Sequence, residues 1–143
     1  MTGFHLSPQL QKDCFVLGKM GDSQLLLLNN ALLPWFILVP HTDATELFEL
    51  DDETRLGLVR NSDTLAGFVK QAFGCDKINV ASIGNVVSQL HLHVIGRRRD
   101  DFCWPGVVWG REEREAYSDE AVMEIAASLL ANLDGRFVLS EKY

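Results

Sequence analysis

Two of the four histidines in this chain stand two positions apart in an apolar segment, QLHLHVI, at residues 89–95. In a β-strand, alternate side chains point to the same face and lie roughly 6.6 Å apart. Gln89, His91 and His93 would therefore share one face and could line up beside one elongated anion, while the leucines and valine between them pack inward. The polar face would then be free to do chemistry, and the chemistry that this arrangement favours is that of a phosphate group.

Two other interpretations of the segment stay open. A strand whose polar face only meets solvent alternates in the same way, and His-x-His on a strand is also a common pair of zinc or iron ligands. No carboxylate or cysteine stands at a familiar metal spacing, although Cys103 stays open as a third ligand, and His5 and His41 lie far away in sequence. We therefore favour phosphate chemistry over a metal-dependent enzyme built on His91 and His93, and expect no metal or other cofactor.

The elements that position these side chains follow from the apolar pattern. Apolar residues recur at helical spacing over Asp52–Phe73, before Gly74, and again from about Ser118 to Leu133, which predicts one long helix and one C-terminal helix. Short apolar runs predict five strands, of which the last two are expected to be central: Cys14–Leu17, Gln24–Leu28, Trp35–Val39, Ile78–Ala81 and Leu90–Ile95.

Strands followed by helices, without regular βαβ alternation, predict an α+β fold with an antiparallel sheet. No linker or repeat divides the 143 residues, so we expect a single domain over residues 1–143.

Charge and cysteine content exclude several classes of protein. The formal net charge of −7 opposes binding to nucleic acid, since that binding depends on basic residues that replace counterions. The basic cluster Arg97–Arg99 is followed by two aspartates, and we interpret it as a solvated turn. No apolar stretch is long enough to span a bilayer, so no membrane association is expected. The three cysteines are widely spaced and odd in number, which fits a reducing cytoplasmic compartment.

The segment QLHLHVI resembles the signature of the histidine triad (HIT) family, His-x-His-x-His followed by apolar residues, with Gln89 in the first histidine position. Gly84–Ser88 resembles the family's approach to the triad, and Trp104–Gly106 resembles its Trp-Pro element after the triad. The similarity covers most of residues 25–105 and includes, at Asn30 and Pro34–Pro40, counterparts of the nucleoside-side loop and second core strand.

This resemblance implies a homodimer and an activity: hydrolysis or transfer at the α-phosphate of a small-molecule nucleotide. His91 matches the family's nucleophile, which would form a covalent nucleotidyl-histidine that water then cleaves. His93 matches the last triad histidine and would bind a non-bridging oxygen or the leaving group, and Gln89 would belong to the catalytic network. The substrate would be a dinucleoside polyphosphate or a nucleoside phosphoramidate.

Further site residues are expected on both sides of the substrate. Asn79 and Asn85 would bind phosphate together with Gln89 and His93, although strand-end and turn asparagines also bond their own backbone. On the nucleoside side we expect Asn30, Trp35 and Phe36, although aromatic residues in strands are also typical of a core.

Two departures from the family pattern affect the predicted activity. Gln89 cannot take up or pass on a proton at neutral pH, and Val86 replaces a polar residue. A nucleotide-binding regulatory protein with little turnover therefore stays open as an alternative. If the missing histidine limits proton transfer, Gln89→His should raise activity. Apolar residues near Phe68 and Phe73 are expected to serve the dimer interface.

Overall fold

In the computed structural model, which describes residues 3–143, the chain forms three α-helices and six β-strands. A short 3₁₀ turn at Leu47–Glu49 precedes the second helix. The elements in chain order are α1 (Pro8–Asp13), β1 (Cys14–Met20), β2 (Ser23–Leu28), β3 (Trp35–Pro40), α2 (Asp52–Ala72), β4 (Lys77–Ala81), β5 (Leu92–Arg97), α3 (Asp119–Asn132) and β6 (Val138–Leu139).

The six strands form one antiparallel sheet in the order β4-β5-β3-β2-β1-β6. The predicted α+β fold, with its antiparallel sheet, long helix and C-terminal helix, is confirmed. The prediction that Ile78–Ala81 forms a central strand is wrong, because β4 lies at an edge of the sheet and Val80 is 49% exposed. Alternating apolar residues suit an edge strand as well as a central one, because either kind can bury one face. The short elements α1 and β6 were not predicted.

The two helices begin and end where the sequence predicted, to within a residue. Asp51 caps α2 by accepting a hydrogen bond from the Thr54 N–H, and Ser118 caps α3 by accepting one from the Ala121 N–H. Gly74 follows α2 with a φ of +60°, a conformation that glycine adopts without strain. Between residues 3 and 143, no helix has the length and apolar character that crossing a membrane requires.

Both faces of the sheet are covered by apolar packing, and the alternation along β3 and β5 divides the residues between them. Phe36, Leu38, Leu92 and Val94 face α2 and α3. The opposite face carries Trp35, Ile37, His93 and Ile95, and we call it the histidine face. It is packed by apolar side chains from α1, from residues 102–109 and from residues 3–7, which we call the N-terminal arm.

Candidate active site

His91 lies immediately before β5, not within it. The predicted strand began at Leu90, but pairing with β3 starts at the Leu38–Leu92 pair and pairing with β4 ends at the Ala81–His93 pair. The Gln89 carbonyl accepts a hydrogen bond from the His91 side chain, so this backbone group is satisfied locally. The boundary prediction is therefore wrong by two residues, and the nucleophile candidate lies at the entrance to the strand.

The His91 imidazole has a defined tautomer because its Nδ1 lies 2.5 Å from the Gln89 carbonyl oxygen. A carbonyl oxygen only accepts hydrogen bonds, so Nδ1 must carry the proton and donate it. The lone pair is left on Nε2, the ring nitrogen on the other side. This is the form in which a neutral imidazole attacks an electrophile.

The His93 imidazole has the opposite tautomer. The Trp35 indole Nε1–H donates a hydrogen bond of 2.9 Å to His93 Nδ1, and an indole N–H only donates. Nδ1 therefore carries the lone pair, and Nε2 carries the proton. Burial, assisted by the proximity of His91, lowers the pKa of His93 to about 4, so the ring is neutral at pH 7. His93 can donate a hydrogen bond from Nε2 to an anionic oxygen.

The two histidines are more enclosed than we predicted. The alternation predicted Gln89, His91 and His93 on the face opposite the long helix, or on an exposed face, lining one concave site. His93 does lie on the face opposite the helices, but His91 is only 6% and His93 only 7% exposed. Their ring centroids are 4.9 Å apart, and the Trp109 ring packs edge-on against His93 at 5.3 Å. Trp109 was not predicted as a site residue. Its indole Nε1 is buried and has no hydrogen-bond partner among residues 3–143.

The Gln89 side chain faces the N-terminal arm. Its Oε1 accepts a hydrogen bond of 2.8 Å from the Ser7 N–H, and its Nε2 donates one of 2.9 Å to the His5 carbonyl. A cleft of about 530 Å³ opens beside it, between Ser7–Gln9 and Val86–Gln89. A larger cleft of about 560 Å³ lies between the β1–β2 turn and α2, and neither cleft is lined by His91 or His93 themselves. We take the smaller cleft as the approach to the site because it adjoins the segment leading to His91.

Asn79 is paired with a buried arginine. Its Oδ1 accepts a hydrogen bond of 3.0 Å from Arg97, whose guanidinium also makes two hydrogen bonds to the Asp101 carboxylate, of 2.8 and 3.1 Å. The interpretation of Arg97–Arg99 as a solvated turn is wrong for Arg97, which is 1% exposed. This cluster anchors the turn after β5, and Trp104 packs over the guanidinium at 5.6 Å. Asn79 supports that anchor, and the structure does not place it against the histidines.

The remaining predicted residues are distributed over both faces of the sheet. Asn30 is 3% exposed, and its Oδ1 already accepts hydrogen bonds from the N–H groups of Leu32 and Glu115, so a ribose contact would have to displace one of them. Phe36 is completely buried on the helix-covered face and cannot border a pocket beside the histidines. Asn85 is exposed in the turn that Gly84 enters with a φ of +73°. Only Trp35 of the predicted nucleoside residues reaches the triad.

A metal centre would need more ligands than this site supplies. Within residues 3–143, no three His, Cys, Asp or Glu side chains come together in a potential metal site. The Cys103 thiol, left open above as a third ligand, lies 3.6 Å from Arg97 Nη2. A guanidinium is cationic at all physiological pH values, so this contact opposes a second cation at the thiol.

Comparison with known proteins identifies the family of the chain. The HIT domain family profile matches residues 9–100, which include the whole triad segment. A histidine triad protein from Sinorhizobium meliloti 1021 is 40% identical, with a TM-score of 0.88 over 92% of this chain and 98% of that chain. A histidine triad protein from Marinobacter aquaeolei VT8 is 39% identical, with a TM-score of 0.87 over 92% of this chain and 96% of that one.

A third crystal structure, of a histidine triad protein from Bradyrhizobium japonicum, is 33% identical, with a TM-score of 0.86 over 90% of this chain and 96% of that chain. No protein of curated function matches the chain.

Proposed function

Because the chain belongs to the histidine triad family, we propose that it binds a nucleotide and hydrolyses or transfers it at the α-phosphate, with His91 as the nucleophile. The observation that carries the proposal is the pair of hydrogen bonds at the two Nδ1 atoms, which give the neutral rings opposite tautomers. His91 has its lone pair on Nε2, while His93 has its proton there. A nucleophile and a hydrogen-bond donor on neighbouring rings are the two groups that attack on a phosphate needs.

The reaction has two steps. His91 Nε2 attacks the α-phosphorus, and the bond from phosphorus to the leaving group breaks with its electron pair on the leaving group. The resulting nucleotidyl-imidazolium carries a positive charge, and the hydrogen bond from Nδ1 to the Gln89 carbonyl stabilises it. Water then attacks the same phosphorus and loses a proton to solvent, while the bond from phosphorus to His91 Nε2 breaks with its electron pair on Nε2, which leaves His91 neutral. His93 donates to a non-bridging oxygen in both steps.

The lack of a side chain that can give up a proton at Gln89 or His93 favours one class of leaving group. Gln89 carries no titratable proton, and a neutral His93 donates a hydrogen bond without giving the proton up. A phosphate leaving group departs as a stable anion, whereas an amine needs a proton. We therefore expect a dinucleoside polyphosphate to turn over faster than the corresponding nucleoside phosphoramidate.

Mass spectrometry of protein quenched during turnover tests the proposal. Adenylyl and guanylyl substrates, each as polyphosphate and phosphoramidate, should add one nucleotidyl group to a peptide containing His91. His91→Ala should lose both the adduct and turnover, while nucleotide affinity changes little, since the lost bond forms only during reaction. Glu124→Ala is the control, because that side chain is exposed on α3, which covers the other face of the sheet. An adduct on another residue, or turnover that survives His91→Ala, refutes the assignment.

A second function is supported by the enclosure of the site. His91 and His93 are each less than a tenth exposed, and the Gln89 amide is already occupied by the N-terminal arm. These observations favour a nucleotide-binding regulatory protein with little turnover. Calorimetric binding of a nucleotide without any adduct or product, over a substrate panel that includes both leaving-group classes, would establish this second function in place of the first.

We also propose that the protein is a homodimer. An interface near Phe68 and Phe73 would gain little apolar area from these two rings, because Phe68 is 7% exposed and packs edge-on against the half-buried Phe73. The edge strand β4 is a better candidate, since Val80 is 49% exposed there and an open strand edge can pair with another copy. Light scattering at micromolar concentration should give twice the monomer mass of 16.0 kDa, and the monomer mass would refute the dimer.

A further inference from the structure

The Gln89 side chain makes two hydrogen bonds, and both go to the N-terminal arm. The Ser7 N–H donates to its Oε1 and its Nε2 donates to the His5 carbonyl, so both partners are backbone groups. The donor and the acceptor of the amide are thus engaged at two points of one segment. Neither bond goes to His91 or His93, which is where a member of a proton relay would have to bond.

The arm that Gln89 holds is packed along the histidine face. Leu6 is 7% exposed and belongs to the same apolar cluster as Trp35, the residue that donates to His93. Phe4 stacks almost parallel on His41, just beyond the end of β3, with ring centroids 4.1 Å apart and planes 18° apart. The arm therefore lies on the same face of the sheet as His93 and lines, through Ser7, the cleft beside Gln89, which is its link to the segment that carries His91.

A histidine at this position would not make the same link. In glutamine the oxygen and the NH₂ group are attached to one carbon, so they can form hydrogen bonds with two backbone groups on the same side. A neutral imidazole also has one acceptor and one donor, but these lie on ring nitrogens that point away from each other. The glutamine therefore matches two adjoining backbone groups that a histidine cannot bond at the same time.

We propose that Gln89 is a positioning residue that fixes the N-terminal arm as a wall of the substrate site, and that it has no part in proton transfer. The proposal rests on the proposed function, because the site that the arm borders is the nucleotide site. It reverses the expectation from sequence for Gln89→His. That substitution releases the arm and raises KM, while kcat changes little, because the backbone carbonyl that orients His91 is retained by any residue at position 89.

Hydrogen exchange of the arm amides, measured by mass spectrometry, tests the link without any substrate. Gln89→Ala should accelerate exchange of the arm on the order of 10-fold, the upper end expected for loss of a neutral hydrogen bond. Ser7→Pro removes only the N–H donor, and the Ser7 φ of −48° is close to the angle that proline requires. It should accelerate exchange of the remaining arm amides in the same way. Ser7→Ala keeps the N–H and should exchange like wild type.

A double-mutant cycle on KM tests the role in the site. If Gln89 acts through the arm, then Gln89→Ala and Ser7→Pro each raise KM several-fold, and the double variant is no worse than the more affected single variant. Gln89→His should resemble Gln89→Ala. The proposal would be overturned if the KM increases of the two single variants multiplied in the double variant. A fall in kcat for Gln89→Ala alone, or a rise in kcat for Gln89→His, would also overturn it and would place position 89 in the chemistry.

The two readouts separate this inference from the proposed function. If the protein has no turnover but the arm exchanges faster in Gln89→Ala and Ser7→Pro, the proposed function fails and the arm link stands. In that case the cycle is run on the dissociation constant of the nucleotide. If turnover depends on His91 while the arm exchanges equally in wild type and Gln89→Ala, the proposed function stands and this inference fails.

Discussion

The stability of the fold should decrease in acid because of a single buried histidine, and His93→Gln tests this directly. Burial and the nearby His91 lower the pKa of His93 to about 4 in the folded protein, from 6.5 in the unfolded chain. Between these two pH values the unfolded chain binds a proton that the folded protein does not. Stability is therefore fully present above pH 6.5 and is lost as the pH falls towards 4.

The expected loss is large compared with the stability of a domain of this size. Each pH unit in that interval costs about 1.4 kcal/mol, so about 3 kcal/mol is lost between pH 6.5 and pH 4. Glutamine is the matched replacement for His93, because its side-chain oxygen can accept the hydrogen bond from Trp35 and it does not titrate. The variant should not lose the part of the free energy of unfolding that depends on His93 in acid. It should still lose the part that depends on all other titratable groups.

Urea unfolding of both proteins at pH 7 and pH 4 measures the difference. Wild type should lose about 3 kcal/mol more than His93→Gln over this interval, and an NMR titration should show one imidazole that stays neutral down to about pH 4. Parallel losses in the two proteins would refute the reasoning. So would a His93 resonance that titrates near pH 6.5, because burial and the nearby His91 would then not hold the ring neutral.

Three further predictions concern the scaffold around the site. Gly96→Ala places a methyl group less than 3.0 Å from three neighbouring side chains and should lower the free energy of unfolding by about 1–3 kcal/mol. Gly67→Ala, where nothing lies within 4 Å of the added methyl group, should raise it by up to about 1 kcal/mol in the same urea assay. Arg97→Met leaves the Asp101 carboxylate, 3% exposed, without its cation and should cost about 3–5 kcal/mol in urea unfolding at pH 7, a loss that should shrink as Asp101 is protonated in acid. Asn30→Ala removes the acceptor of two backbone N–H groups and should cost about 1–3 kcal/mol, with faster hydrogen exchange at residues 113–117; a fall in nucleotide affinity without loss of stability would instead support the ribose contact.

Much of the fold was predictable because local patterns determine which side of an element is buried. Alternation in 89–95 correctly placed Leu92 and Val94 against the helices and His93 on the other face. Capping residues and the glycine after α2 located both long helices to within a residue. Position within the sheet was not predictable in the same way, because the apolar pattern of β4 does not specify how many neighbours a strand has.

The sequence predicted that His91 and His93 lie side by side, but it did not predict their hydrogen bonds. His91 and His93 are neighbours in sequence, and any extended backbone brings their rings close together. Their tautomers depend on partners at very different distances along the chain: the Gln89 carbonyl is two residues from His91, whereas Trp35 is 58 residues from His93. The first contact follows from local geometry, while the second exists only because β3 and β5 pair.

The sequence by itself determined the two long helices, the strands β1 to β5, the buried side of β5, and the pair of imidazoles at its start, since these depend on residue periodicity over a few positions. Only the tertiary structure decided what each polar group does. Gln89 bonds backbone groups 82 and 84 residues away, and Arg97, which sits in a run of charges, is buried against Asn79, 18 residues earlier. The type of a side chain limits the hydrogen bonds that it can make. Its partners depend on packing against both faces of the sheet, because that packing brings distant segments of the chain beside it.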